Sequence, residues 1–206
     1  MADNVAPVVR LMLVTDDRLV RGRDLVALAL AGERGGVSSL QLRLKRATPR
    51  ELAELVRALV QALRIPVVVN DRPDVAIAAG AAGVHLGPDD LPVRLARQIA
   101  PAGFLIGASV GTEAEAHSAV AADYWGIGPW RATATKDDAG TGLGPPGFSR
   151  LCRLAGPRPC VAIGGVLPED VSAVLSAGGQ GVAVVSGILG AEDVEAAARS
   201  YARQLP

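Results

Sequence analysis

The chain has 206 residues, 50% of them hydrophobic, so it is long enough to fill one well-packed core, and nothing in its composition is typical of disorder. Lysine plus arginine and aspartate plus glutamate both number 21, and the formal net charge of zero argues against a sequence-independent nucleic-acid binder or a protein held on anionic membranes. Residues 1–7 lack the pattern of a secretory signal, no apolar run approaches about 18 residues, and the two cysteines form no metal motif. We therefore expect a cytoplasmic protein.

Short β-branched runs alternate with Ala- and Leu-rich amphipathic segments along the chain, which indicates repeated β–α units. Strands are predicted over residues 8–14, 39–44, 66–69, 83–86, 105–108, 123–127, 160–163 and 181–185. Helices are predicted over residues 24–34, 48–63, 73–79, 92–100, 112–121, 147–154, 168–177 and 191–203. Each unit takes about 26 residues, and no Ser- or Pro-rich linker divides the chain. The pattern favours a single-domain (β/α)8 TIM barrel over residues 1–206, with a doubly wound open sheet as the alternative.

The second predicted strand alternates between polar and apolar residues. Gln41, Arg43 and Lys45 project to one face, and the three leucines at positions 40, 42 and 44 project to the other. In a barrel, helices would cover the leucines and the polar row would face the interior. A buried arginine and lysine need partners, and we expect an anionic ligand to supply them. Taken alone, the pattern also fits a half-exposed antiparallel strand.

The third and fourth predicted strands both run into carboxylates. Asn70 and Asp71 follow the third strand, and Asp89 and Asp90 come shortly after the fourth. Turn formation or a charged helix N-terminus would also explain acidic residues at these positions. Alternatively, two neighbouring strand ends would each offer one carboxylate to Mg²⁺, which takes few protein oxygens and keeps places for water and phosphate oxygens. We expect His85 to be a hydrogen-bonded interior residue.

The later strand ends offer phosphate-binding groups. Ser109 presents a hydroxyl, and the loop 133–136 combines two hydroxyls with an ammonium, although a solvated loop is the alternative there. Glycines follow the seventh and eighth strands, where backbone N–H groups of such barrels approach a phosphate. The polar turn 15–18 after the first strand carries no distinct signal.

Together these segments resemble the thiamine-phosphate synthase family over essentially the whole chain. The matching segments are 13–16, 41–45, 70–72, 83–87 with Asp90, 107–109, 133–136, 163–165 and 184–186. The resemblance implies a Mg²⁺-dependent condensation of 4-amino-5-hydroxymethyl-2-methylpyrimidine diphosphate with a thiazole phosphate. The products would be thiamine phosphate and pyrophosphate, formed by a dissociative, carbocation-like substitution.

The same resemblance implies a role for each motif residue. Pyrimidine diphosphate would be held by Gln41, Leu42, Arg43, Leu44, Lys45, Asn70, Ser109 and Lys136, and the thiazole phosphate by Thr133, Ala134, Thr135, Gly165, Val185 and Ser186. Asp71 and Asp90 would bind Mg²⁺. Arg43, Lys45 and Lys136 would be catalytic because they offset charge on the leaving pyrophosphate. The partners would be small phosphorylated substrates, with no nucleic acid or membrane and with a homo-oligomer possible.

The chain departs from the family pattern at Pro88, at Met12 and at the pair Arg131-Ala132, and the last departure bears on the shape of the phosphate loop. Two rival functions remain. One is a thiazole tautomerase of the same superfamily, which needs acid–base chemistry, and the other is a noncatalytic regulator that binds phosphorylated metabolites. The set of Asp71, Asp90 and Lys136 favours the synthase.

Overall fold

The β–α repeats fold into a closed barrel of eight parallel strands that follow one another in chain order. The strands are β1 (Leu11–Val14), β2 (Ser39–Leu42), β3 (Val67–Asn70), β4 (Gly83–Leu86), β5 (Leu105–Val110), β6 (Tyr124–Ile127), β7 (Cys160–Ile163) and β8 (Gly181–Val184). The computed structural model describes residues 5–132 and 142–206. Because β1 pairs with both β2 and β8, the sheet has no free edge. The predicted (β/α)8 TIM barrel is thus confirmed, and the open sheet is excluded.

Helices surround this barrel. Within the described ranges they are α1 (Leu25–Arg34), α2 (Pro49–Ala62), α3 (Pro73–Ala79), α4 (Val93–Ile99), α5 (Glu113–Ser118), α6 (Gly144–Ala155), α7 (Val171–Ser176), α8 (Ser186–Leu189) and α9 (Val194–Ala202). Side-chain caps begin several of them, and both Thr48 and Thr112 form capping boxes with the glutamate three residues later. None of the described helices is long and apolar enough to cross a membrane.

The alternation of side chains along the strands produces two separate cores. The outward-facing residues, such as Leu40 and Leu42, join the helices in one large buried cluster. The inward-facing residues form a smaller cluster inside the barrel, which includes Met12, Tyr124 and Val161. The interior is therefore a packed core of side chains and not a pore.

Several element bounds differ from those predicted. β1 begins at Leu11 rather than at residue 8, because the amides of Val8 and Val9 donate to the Val5 carbonyl in a turn. The helix predicted over 168–177 is divided into a 3-10 turn, Pro168–Asp170, and α7. The four-residue helix α8 was not predicted, because it follows β8 directly and contains a glycine, a poor helix former.

The polar row of the second strand is only partly as predicted. The alternation holds as far as Leu42, with Gln41 buried in the barrel and its leucine neighbours facing the helices. The chain then leaves the sheet, so that Arg43 is half-buried and Lys45 is exposed. The prediction that Lys45 is buried was therefore wrong.

Two valines one turn apart on α2 test how the barrel and its helices stabilise each other. Val56 is fully buried, whereas Val60 is 39% exposed. We expect Val56→Ala to lower the free energy of unfolding by about 2 kcal/mol, because it removes two buried methyl groups and leaves a cavity. Val60→Ala, the matched control, should change it by less than about 0.5 kcal/mol. Urea denaturation of both variants provides the measurement, and equal effects would contradict the observed packing.

Candidate active site

All eight strands are parallel, so their carboxyl-terminal ends lie at one rim of the barrel, where such barrels carry their functional groups. Most of the predicted site residues follow strand ends at this rim, from Gln41 at the end of β2 to Ser186 after β8. Thr133, Ala134, Thr135 and Lys136 lie outside the described residues. For those four positions the assignments remain predictions.

Two amides join the ends of β2 and β3. Gln41 Nε2 donates to Asn70 Oδ1 over 2.7 Å. Gln41 is almost fully buried, and Asn70 is half-buried at the last position of its strand. This hydrogen bond fixes the orientation of both amides, so the remaining amide hydrogens and oxygen are presented in a defined pattern to any ligand at the rim.

The loop after β2 is held in place by the turn after β1. Thr15 Oγ1 accepts from the Arg43 amide over 2.7 Å and donates to the Arg43 carbonyl over 3.1 Å. The Asp17 carboxylate accepts from the Lys45 amide over 3.0 Å and from the Arg46 amide over 3.2 Å. The backbone that carries both cations is therefore fixed by a neighbouring strand end.

Arg43 has a partner within the protein. Its Nη1 lies 3.6 Å from Asp16 Oδ2, and both side chains are largely buried. The anionic ligand expected from the sequence is thus not needed to satisfy this arginine, although Asp16 offsets its charge only in part at such a distance. Thr15, Asp16 and Asp17 therefore support the loop after β2, a role that was not predicted, although residues 13–16 form one of the segments that resemble the family.

Asp71 occupies a strained position directly after β3. Its φ of 65° is the one positive value among the described residues other than glycine. The Asp71 amide donates to the His85 carbonyl over 2.9 Å, and the Arg72 amide donates back to the Asn70 carbonyl over 2.9 Å, which closes a tight turn. The neighbouring strand thus helps to hold Asp71 in a conformation that most residues avoid.

The carboxyls of Asp71 and Asp90 lie within hydrogen-bonding reach of each other. Burial, followed by the hydrogen bond and the repulsion from Asp90, raises the pKa of Asp71 to about 6, against the smaller opposing effects of Lys45 and Arg43. Asp90 is itself held by the Gly87 amide, which donates to its Oδ2 over 2.6 Å. Two carboxylates are therefore fixed side by side with two cations nearby, as the sequence analysis predicted.

A cavity of about 250 Å³ opens beside this group, lined by Leu44, Lys45, Ala47, Leu52, Asn70, Asp71 and Arg72. A larger groove of about 430 Å³ lies between α1 and α9 and contains none of the predicted site residues. Leu42 projects into the outer core, so this residue can contact a ligand at the rim only through its backbone.

Ser109 is positioned from inside the barrel. Its Oγ lies 3.0 Å from His85 Nε2, and His85 Nδ1 lies 3.1 Å from the hydroxyl of the buried Tyr124. A Cβ on Gly107 would lie 2.4 Å from that hydroxyl and 2.6 Å from His85 Nδ1, so this contact requires glycine. The prediction of His85 as a hydrogen-bonded interior residue is confirmed, and Tyr124 is a supporting residue that it missed.

The ends of β7 and β8 present backbone N–H groups. Gly164 and Gly165 have φ values of 92° and 72°, a conformation that favours glycine. Among the described residues, nothing accepts from the Gly165 amide. Val185 and Ser186 lie at the start of α8, where the first N–H groups of a helix have no intrahelical acceptor. Neighbouring strand ends thus place several free donors where the sequence predicted a phosphate site.

Comparisons with known proteins agree with this geometry. The profile of the family described as thiamine monophosphate synthase matches residues 11–188. The thiamine-phosphate synthase of Methanoculleus marisnigri is 49% identical over 195 residues, and that of Azorhizobium caulinodans is 48% identical over 195 residues, each alignment covering 92% of both chains. The structure of thiamine phosphate pyrophosphorylase from Pyrococcus furiosus superimposes with a TM-score of 0.87 at 35% identity, covering 98% of this chain and 97% of that one. The chain therefore belongs to the thiamine monophosphate synthase family, as its motifs predicted.

Proposed function

We propose that this barrel rim joins 4-amino-5-hydroxymethyl-2-methylpyrimidine diphosphate to a thiazole phosphate, releasing pyrophosphate. The diphosphate binds at the ends of β2 to β5, and the thiazole phosphate binds at the ends of β7 and β8. The observation that carries the proposal is the Asp71–Asp90 carboxyl pair, which faces Lys45 and Arg43 across one edge of the rim. A site for a metal-bound diphosphate needs carboxylates to bind the metal and cationic side chains to bind the diphosphate oxygens.

Mg²⁺ fits this carboxyl pair. Burial is the largest cause of the raised pKa of Asp71, and the hydrogen bond and repulsion from Asp90 add to it. A divalent cation held by both carboxylates would offset the cost of keeping two negative charges close together in a half-buried site. Over residues 5–132 and 142–206, no group of three or more His, Cys, Asp or Glu side chains could hold a metal. Two protein carboxylates suit Mg²⁺, which keeps waters and takes phosphate oxygens as further ligands. When bound there, Mg²⁺ would withdraw charge from the diphosphate and make it a better leaving group.

The basic residues support the same role. The chain contains two lysines, Lys45 and Lys136, among its 21 lysines and arginines, and both belong to the proposed diphosphate site. Lys45 is exposed and near enough to Asp71 to lower its pKa, so its ammonium faces the carboxyl pair. Lysine and arginine side chains at this edge would offset the negative charge that the departing pyrophosphate gains as the C–O bond breaks.

The substitution itself needs no protein base. The C–O bond between the pyrimidine methylene and the diphosphate breaks, and its electron pair leaves with pyrophosphate. The lone pair of the thiazole nitrogen then forms the new C–N bond to the resulting cation. The protein has to hold the two substrates in line, and the Gln41–Asn70 amide pair, Ser109 and the N–H groups of Gly165 and Ser186 are placed for that task.

An assay of purified protein with both substrates, following pyrophosphate with and without Mg²⁺, separates this function from its rivals. We expect metal-dependent turnover. A thiazole tautomerase would isomerise the thiazole without releasing pyrophosphate, and a noncatalytic regulator would bind without turnover. Wild-type turnover that survives complete chelation of the metal would contradict the proposed role of the carboxyl pair.

Neighbouring aspartates provide a matched test of the metal ligands. Asp90 contacts Asp71, whereas Asp89 is exposed. We expect Asp90→Asn to lower kcat/KM about 100-fold or more, because it removes charge from the metal site. Asp71→Ala and Lys136→Ala should cause comparable losses with the fold intact by circular dichroism. Asp89→Asn is the control and should retain wild-type rates, so a loss of similar size in this control would contradict the assignment.

The raised pKa of Asp71 predicts a pH effect on the metal-free protein. Its folded-state pKa of about 6 lies above the ordinary value of about 4. Between pH about 4 and about 6, the folded state therefore binds more protons than the unfolded chain. This carboxyl therefore destabilises the fold increasingly as pH rises through that window. By calorimetry, the unfolding midpoint of wild type should fall relative to that of Asp71→Asn as pH rises through it. Parallel pH profiles would contradict the shift.

Lysine modification gives a test that does not depend on turnover. We expect pyrophosphate with Mg²⁺ to slow acetylation of Lys45 and Lys136, because both ammonium groups would contact the bound anion. Mass spectrometry after limited treatment with acetic anhydride measures each site, and the α-amino group is the internal reference. Unchanged acetylation of both lysines at saturating pyrophosphate would show that neither contacts it.

A further inference from the structure

Arg131 connects the end of β6 to the glycine turn that follows β7. Its amide donates to the Gly164 carbonyl over 2.9 Å, and its Nη1 donates to the Gly165 carbonyl over 3.3 Å. Its guanidinium also forms a two-pronged ion pair with Asp170, in which Nη1 contacts Oδ2 and Nη2 lies 2.6 Å from Oδ1. One residue thus holds both carbonyls of the Gly164–Gly165 pair.

Asp170 anchors the arrangement from the other side. Its side chain is 9% exposed, and its Oδ2 also accepts from the Leu167 amide over 2.8 Å. A buried carboxylate of this kind is stable only when it has hydrogen-bond or ionic partners. The half-exposed Arg131 is the charged partner of Asp170. The guanidinium therefore spans the turn between the Gly165 carbonyl and a fixed point at the start of α7.

The geometry of the peptide bond makes this contact relevant to phosphate binding. In a planar trans peptide, the carbonyl and the following N–H point in opposite directions. Arg131 holds the carbonyls of Gly164 and Gly165, so the N–H groups of Gly165 and Val166 point away from Arg131. Their direction is therefore set by Arg131, and no described residue accepts a hydrogen bond from either of them.

We propose that the Arg131–Asp170 pair is a positioning device, which aims the Gly165 and Val166 amides at the phosphate of the thiazole substrate. This inference rests on the proposed function, since it assumes that the thiazole phosphate binds at this turn. The role assigned to Arg131 is indirect, because its Nη1 donates to the Gly165 carbonyl and to Asp170 and its Nη2 donates to Asp170. The pair thus gives a role to the departure from the family pattern at position 131.

The chain contains a matched control for this pair. Arg97 Nη1 donates to the Phe104 carbonyl over 2.8 Å, its Nη2 lies 2.6 Å from Asp123, and that carboxylate also accepts from the Ile106 amide over 2.7 Å. Arg97 thus makes the same kinds of contact as Arg131. Each arginine donates to a backbone carbonyl and pairs with a carboxylate that also accepts from a backbone amide. Asp123 precedes β6, however, so this pair lies at the end of the barrel opposite to the rim.

The test compares Arg131→Ala, Arg131→Lys, Asp170→Asn and the Arg131→Ala/Asp170→Asn double variant with Arg97→Ala. We expect Arg131→Ala, Arg131→Lys and Asp170→Asn each to raise KM for the thiazole phosphate about tenfold. A change of this size corresponds to the loss of roughly one charged hydrogen bond. KM for the pyrimidine diphosphate should stay within about twofold, and the double variant should resemble the single ones, because the pair acts as a unit. Arg97→Ala should lower the unfolding midpoint while leaving both KM values unchanged.

Three outcomes would overturn the inference. The first is an unchanged KM for the thiazole phosphate, and the second is an equal rise in both KM values. The third is a lower KM for the thiazole phosphate in Asp170→Asn, which would mean that the released Arg131 binds the phosphate directly. Calorimetric titration of each variant with the thiazole phosphate makes the same comparison without turnover. If wild type binds the thiazole phosphate but releases no pyrophosphate, the proposed function fails while the positioning role is still decided by these titrations.

Discussion

Two like charges held at neighbouring strand ends are the constraint on which this site depends. Asp71 and Asp90 would separate in water, yet a strained turn holds one and the Gly87 amide holds the other. Burial first, and then the hydrogen bond and repulsion from Asp90, raise the pKa of Asp71, and this is an energetic cost that the metal-free fold carries. A divalent cation with a bound diphosphate would offset this cost, and the proposed binding role would thus explain why the two carboxyls are held together.

The barrel is suited to this arrangement because its strands are rigid and its loops are joined to each other. The polar turn after β1 fixes the backbone of Arg43 and Lys45, and the end of β4 accepts a hydrogen bond from Asp71. On the far side, the arginine after β6 holds the glycine turn after β7. These strand ends are thus supported by their neighbours, which would keep the two proposed substrate sites at fixed positions.

Much of this was predictable from the sequence, because parallel barrels place every strand end at one rim. The eight strands, a carboxylate at each of two neighbouring strand ends and the interior role of His85 follow from local pattern plus that single rule, whereas the choice of Asp90 followed from the family resemblance. Contacts between loops were not predictable. Thr15, Asp17 and Tyr124 act on residues 28, 28 and 39 positions away along the chain, and nothing local to them marks their partners.

The errors have local causes as well. A period-two pattern cannot show where a strand leaves the sheet, and so Lys45 was predicted to be buried although β2 ends at Leu42. Arg131 was recognised only as a departure from the family pattern, because its partner Asp170 lies on a different β–α unit. Sequence motifs located the chemical groups, whereas the groups that aim them became visible only with the fold.

The most direct test of the central claim is the binding of Mn²⁺, a paramagnetic substitute for Mg²⁺, measured by electron paramagnetic resonance with pyrophosphate present. We expect one tightly bound ion per chain in wild type and its loss in Asp71→Asn. Equal Mn²⁺ binding by wild type and by this variant would contradict the assignment of the carboxyl pair as the metal site.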